Sequence, residues 1–146
     1  MFMYSKDMDI DKLLKALDKE ENEDLIDTTS TRIEEDLSLA VEELDLPEEM
    51  QESIMNKLSG YRYIEDIHQL SNGSYIRWIN LQNPDNIVLT PGTILCEIKF
   101  TDAGTTLICK NFRHRYFQVL FDECMVFQRL SDQERILLSA IDYLAK

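Results

Sequence analysis

The sequence predicts an α+β protein: acidic N-terminal helices, a five-stranded antiparallel small β-barrel and a C-terminal helix. Three observations carry that expectation. Between Gly73 and Leu130 apolar residues alternate with period two in five short runs separated by turn residues. Ahead of that stretch apolar residues recur at helical spacing in an acidic background, and behind it one capped amphipathic run follows. Five short strands cannot bury both faces of a flat sheet, and open edges invite aggregation, so a strongly bent barrel is the economical closure.

The strands are expected at Tyr75–Leu81, Thr93–Phe100, Thr105–Lys110, Arg115–Phe121 and Met125–Leu130. In the second, Ile94, Cys96, Ile98 and Phe100 share a face; in the third, Leu107 and Cys109 do. The loop Thr101-Asp102-Ala103-Gly104 supplies a glycine for a hairpin. Pairing Phe100 with Thr105 then sets Ile98 opposite Leu107 and Cys96 opposite Cys109, inward against inward. A tight Asp122-Glu123-Cys124 turn likewise sets Phe121 against Met125 and Val119 against Phe127. The long first connection, Gln82–Gly92, holds Pro84, Pro91 and Gly92. This order of strand, long loop and hairpin-linked strands resembles the Src-homology-type and Tudor-like small barrels.

The net charge of −13 sits mainly in one third of the chain. Residues 1–59 hold 18 acidic and 6 basic side chains, whereas residues 60–146 are nearly balanced at −1. We therefore divide the chain into an acidic helical region, 1–59, with a linker near 20–30, and a barrel domain, 60–146. An acidic surface repels nucleic acid and anionic membranes and favours basic partners.

Within the acidic region Asp7–Lys19 is a helix candidate with Ile10, Leu13, Leu14 and Leu17 in one stripe. A second helix starts at Thr31, where Thr31-Arg32-Ile33-Glu34 has capping-box spacing, with Ile33, Leu37, Val41 and Leu44 on its apolar face. Pro47 opens a third, faced by Met50, Ile54 and Leu58 and ended by Gly60. Tyr61–Leu70 is expected as one more short helix before the Ser71-Asn72-Gly73 turn. Packing within the chain is the default for residues 31–70. For Leu13, Leu14 and Leu17 the stripe suits a partner or a second subunit equally well. In the last helix Ser131 and Glu134 form a capping box, and Ile136, Leu137, Ala140, Ile141 and Leu144 cover its buried side.

No catalytic, cofactor or metal signature is present. His68 and His114 and the three cysteines lack the close pairs that zinc sites use. Buried Cys96 and Cys109 act as small hydrophobes, and acidic neighbours raise the pKa of Cys124, against a reactive thiolate. Asp7, Asp9 and Asp11 lack the glycine and closing glutamate of a calcium loop. Four glycines exclude a phosphate-cradling loop. Free thiols and the absence of a signal-like or membrane-spanning segment point to an intracellular protein.

One cluster suggests binding. Lys110-Asn111-Phe112-Arg113-His114-Arg115-Tyr116 sets cations beside aromatics between two strands, and Trp78 has similar company in Arg77. Lys110, Phe112, Arg113, Arg115 and Trp78 are the candidate interaction residues there, joined by Leu13, Leu14 and Leu17. Small barrels bind single-stranded nucleic acid with such pairs, but the acidic remainder opposes a polyanion. The expectation is thus a non-enzymatic protein–protein interaction or assembly module with a protein partner or a second copy, and no membrane. The alternatives are a nucleic-acid-binding barrel using loop 110–116, or an acidic decoy for a basic nucleic-acid-binding partner.

The runs Gly73-Ser74-Tyr75-Ile76-Arg77-Trp78-Ile79, Leu89-Thr90-Pro91-Gly92, Cys109-Lys110-Asn111-Phe112 and Leu130-Ser131-Asp132-Gln133-Glu134 resemble small uncharacterised proteins of nucleocytoplasmic large DNA viruses. The resemblance covers residues 60–146. It implies a viral protein made in the host cytoplasm, with a place as a minor virion component, and assigns no residue a role.

Overall fold

A computed structural model gives the structure of the protein and describes residues 28–144. The expected helix at Asp7–Lys19, with Leu13, Leu14 and Leu17, lies outside the described residues. The described chain is α+β, with three α-helices on a six-stranded antiparallel sheet.

The elements are α1 (Ser30–Glu42), α2 (Glu48–Lys57), β1 (Tyr61–Ile64), β2 (Tyr75–Asn80), β3 (Thr93–Thr101), β4 (Gly104–Lys110), β5 (Tyr116–Leu120), β6 (Cys124–Arg129) and α3 (Asp132–Leu144). Two 3₁₀ turns, Ile67–Gln69 and Phe121–Glu123, complete them. Strand order is β1-β6-β2-β3-β4-β5.

Two expectations about the sheet are corrected. Among the described residues it has six strands and is open: β1 and β5 end the order, and no ladder joins them into a barrel. The extra strand is β1, in the stretch expected to be helical. Tyr61 to Ile64 alternates half-buried and buried and pairs with Arg129 to Val126. Its helix-length apolar pattern was shared between a strand and the turn Ile67–Gln69, which Asp66 caps through the His68 N–H and Gln69 bonds back.

β5 and β6 do not form a hairpin either. Asp122 and Glu123 belong to a 3₁₀ turn, after which β6 enters between β1 and β2. In a flat sheet β6 would lie four strand spacings, about 19 Å, from β5. A three-residue 3₁₀ turn spans about 6–8 Å. The sheet is therefore curled, and its two faces hold separate cores.

The concave core gathers Ile64, Leu70, Ile76, Leu95, Leu107, Cys109, Val119 and Val126, with Trp78 and Phe117 against it. The convex core joins Ile79, Met125 and Phe127 to Ile33, Leu37 and Val41 of α1, Ile54 and Leu58 of α2 or its end, and Leu137 and Leu138 of α3.

The β3–β4 hairpin keeps the expected register at its tip, Phe100 opposite Thr105 and Ile98 opposite Leu107. A bulge then intervenes, so Cys109 faces Leu95 and Cys96 is the extra residue. The bulge moves Leu95 to the concave core, leaves Cys96 half-buried, and Phe100, expected inward, is 77% exposed.

Helix ends follow local chemistry. Thr29, not Thr31, caps α1, its hydroxyl accepting from the Arg32 N–H at 3.2 Å. Ser131 and Glu134 form the expected box on α3, with bonds of 2.9 and 3.2 Å. Leu137 and Leu138 are the buried residues of α3, while Leu144, expected inward, is exposed. Gly60 turns the chain from α2 into β1 at φ +84; a side chain there would also meet the Arg135 guanidinium.

Candidate interaction surface

The β4–β5 hairpin brings Lys110, Phe112, Arg113 and Arg115 together at one tip. Asn111 shapes it: its side-chain Oδ1 accepts from the N–H groups of Arg113 (2.9 Å) and Arg115 (3.0 Å). Its own N–H donates to the Arg115 carbonyl, and its carbonyl accepts from the His114 N–H, both at 3.0 Å. His114 takes φ +62, a strained conformation for a residue with a side chain, tolerated because these bonds fix the turn. The tip is thus a braced structure on a paired ladder.

On that brace the aromatic rings are held in water. Phe112 is 84% exposed and Tyr116 64%. The Arg113 guanidinium lies 5.5 Å from the Phe112 ring centre and the Lys110 ammonium 5.8 Å from that of Tyr116, both within cation–π reach. No acidic residue stands between Lys110 and Tyr116, so the tip is a cationic point on an acidic protein.

Trp78 is not part of the tip. It stands half-buried on β2, edge-on to Phe117 at 6.2 Å between ring centres and 63° between planes. Its backbone is tied to the returning loop: Trp78 N–H donates to Thr90 Oγ1 at 3.0 Å and its carbonyl accepts from the Thr90 N–H. Trp78 and Phe117 instead border a cavity of about 340 Å³ along β5.

A larger cavity, about 710 Å³, lies among the three helices, floored by Leu37, Leu58 and Leu138 with Glu34 and Arg135 at its rim. Gln128, fully buried on β6, holds the chain before β2: its side chain accepts from the Ser71 N–H at 2.8 Å and donates to the Gln69 carbonyl at 3.2 Å. The sequence reading does not single out Gln128 or the bracing role of Asn111. A glutamine in an otherwise apolar strand and an asparagine two residues before an arginine are the sequence signals that could have found them.

Among the described residues no three His, Cys, Asp or Glu side chains converge as a metal site. His68 sits 2.6 Å from the Asp66 carboxylate on the surface, and the His68 backbone N–H, first among its partners, holds that carboxyl below its usual range. Burial pushes the Cys109 and Cys124 thiols up to about 11; at Cys124 the Glu123 carboxylate adds to the effect. The three cysteines are free. No described helix is long and apolar enough to cross a membrane.

No family model, curated protein or solved structure matches the chain.

Proposed function

We propose that the protein is a non-enzymatic interaction module that docks through the β4–β5 tip on an acidic protein surface. The observation that supports this reading is the braced tip itself, where Phe112 stands 84% exposed beneath Arg113. Exposed aromatic and arginine side chains held in fixed positions lose little conformational freedom on binding and supply most interface energy. The acidic surface can come from another protein or from a second copy, whose exposed Glu34, Glu35, Glu48 and Glu49 on α1 and α2 are complementary in charge.

The test compares the full-length protein with its Phe112→Ala and Arg113→Ala variants. Light scattering over a concentration series reads self-association, and affinity purification from the native source followed by mass spectrometry reads other partners. The expected result is a specific partner or a dimer that either variant loses. Titration with single- and double-stranded oligonucleotides is the second arm, with no salt-sensitive binding expected. Binding that falls steeply with salt and is lost in Arg113→Ala would replace this reading by the nucleic-acid one.

A further inference from the structure

The two outer strands of the sheet are protected unequally. β1 is four residues long, carries Arg62 and lies against α1, devices that keep an edge from pairing with other chains. β5 carries neither a charge nor a proline and, among the described residues, ends the strand order. Its register with β4 runs unbroken into the tip, where the Asn111 N–H bonds the Arg115 carbonyl. Counting the antiparallel alternation from that bonded pair turns the N–H and C=O groups of Tyr116, Gln118 and Leu120 away from β4.

The 340 Å³ cavity runs beside those groups. Four consecutive β5 residues, Phe117 to Leu120, line it, so the open edge of the strand and not one face forms that wall. Trp78 and Asn80 of β2 and Cys124 of β6 line the opposite side.

We propose that this groove takes one extended peptide strand from a partner protein, hydrogen-bonded to the open edge of β5. The groove is walled on both sides, so its occupant is a single strand and not the sheet edge of a second copy. Trp78 and Phe117 offer aromatic surface to an apolar side chain of that strand. Lys110 and Arg115 flank one end of β5, and Glu123 lines the other end of the groove. A strand antiparallel to β5 therefore carries an acidic residue toward its C-terminal side and a basic one toward its N-terminal side. The inference rests on the interaction-module reading and adds the form of the ligand, on a surface that Phe112 and Arg113 do not line.

The experiment is a selection of random nine-residue peptides, displayed on phage, against the full-length protein, with Gln118→Lys as counter-selection. Enriched peptides are expected to alternate apolar and polar residues and to end on an acid. One of them, made synthetically, should protect the amides of Tyr116, Gln118 and Leu120 from hydrogen exchange and leave those of Phe117 and Val119, already bonded to β4, unchanged. N-methylation of alternate amides along one edge of the peptide should weaken binding at least tenfold, and along the other edge leave it intact. Gln118→Pro removes an outward N–H, which an edge strand tolerates, and should abolish binding; if that variant fails to fold, the N-methylated pair decides alone. The proposal is overturned if no peptide is enriched over Gln118→Lys, or if both N-methylated forms bind equally. It is also overturned if enriched peptides shift only the Phe112 and Arg113 resonances, in which case the tip binds and the edge does not. Protection of the three amides in a dimer without peptide would make the occupant a second copy and overturn it equally. Edge binding that survives in Phe112→Ala and Arg113→Ala proteins lacking any other partner would leave this inference standing and the tip reading fallen.

Discussion

β5 and β6 are consecutive strands joined by three residues, yet their environments are opposite. β6 lies between two strands and beneath three helices, and Met125, Val126, Phe127 and Gln128 are buried in succession. β5 is paired on one side, with Tyr116 and Gln118 in water. Both runs are apolar with period-two character, so composition does not separate them. What separates them is the 3₁₀ turn Phe121–Glu123, which carries the chain across the curl and places β6 inside the sheet. Burial in a small curled sheet is thus decided by where the chain re-enters it. Among the described residues, the strand left outside pairs on one side only.

The comparison is tested most strongly by truncating one aromatic in each strand. Phe127 is fully buried between the sheet and the helices, and Phe127→Ala should cost about 3–5 kcal/mol in chemical denaturation. Phe117, half-buried at the edge, leaves less area to lose, and Phe117→Ala should cost about 1–2 kcal/mol. Equal losses would show that β5 is as enclosed as β6 and would remove the basis for a free edge.

Gln128 gives the next effect. Its side chain answers the Ser71 N–H and the Gln69 carbonyl, both held away from the ladder. Gln128→Ala leaves these groups unanswered in a part-buried place, a loss of about 1–3 kcal/mol. Exchange of the Ser71 amide should rise more than global stability falls, since the bond lost is local. An unchanged Ser71 amide would mean that water replaces the glutamine.

The strand positions were largely legible, and the reasons for the misses are physical. Turn residues bounded β2 to β6 to within a residue, because Gly104 and the run Asn111–Arg115 admit few conformations. The bulge at Cys96 was not legible: Ile94, Cys96 and Ile98 alternate without a break, and only the pull of Leu95 into the concave core reveals the extra residue. β1 is hidden within an apparent helix because Tyr61 to Ile64 is too short to show its period, and its partner β6 is distant in sequence. Barrel closure was expected from strand count and edge avoidance; a helix lying on one outer strand answers the first edge and leaves the second open. The grouping of cations and aromatics at 110–116 was visible as composition. The place of Trp78 beside the β5 groove was not, since that groove exists only once the curl brings β2 and β6 opposite it.

At the tip, Asn111→Ala removes two side-chain bonds to the Arg113 and Arg115 amides. Each such neutral bond is worth about 0.5–1.5 kcal/mol, and an exposed turn sits at the low end, so a total near 1 kcal/mol is expected. The sharper readout is motion. Backbone relaxation should show added disorder at Arg113–Arg115 and none along β6. If the tip stays rigid, the ladder alone sets its shape and Asn111 is not its brace.

The smallest effect concerns the thiols, which lie on either side of the same comparison: Cys109 faces Phe117 of β5, and Cys124 opens β6. Burial raises both to about 11 from an ordinary 9.0. Below pH 9 folded and unfolded chains both hold these protons, and stability does not depend on them. Between pH 9 and 11 the unfolded chain releases protons that the folded chain keeps, so it binds fewer and stability falls as pH rises. Tyr63, raised above 10.0 by burial and then by Glu43 and Glu65, acts in the same direction at the upper end of that window. The denaturation midpoint should therefore be level from pH 7 to about 8.5 and decline toward 11. Cys109→Ala combined with Cys124→Ala should flatten the decline, with Cys109 contributing more, because Cys124 is half-exposed and screened by water. At pH 7.5 both thiols should react slowly with an aromatic disulfide reagent until denaturant is added. Rapid reaction of Cys109 in the native protein would mean that the concave core opens along β5, and the edge would then be a mobile strand instead of a formed template.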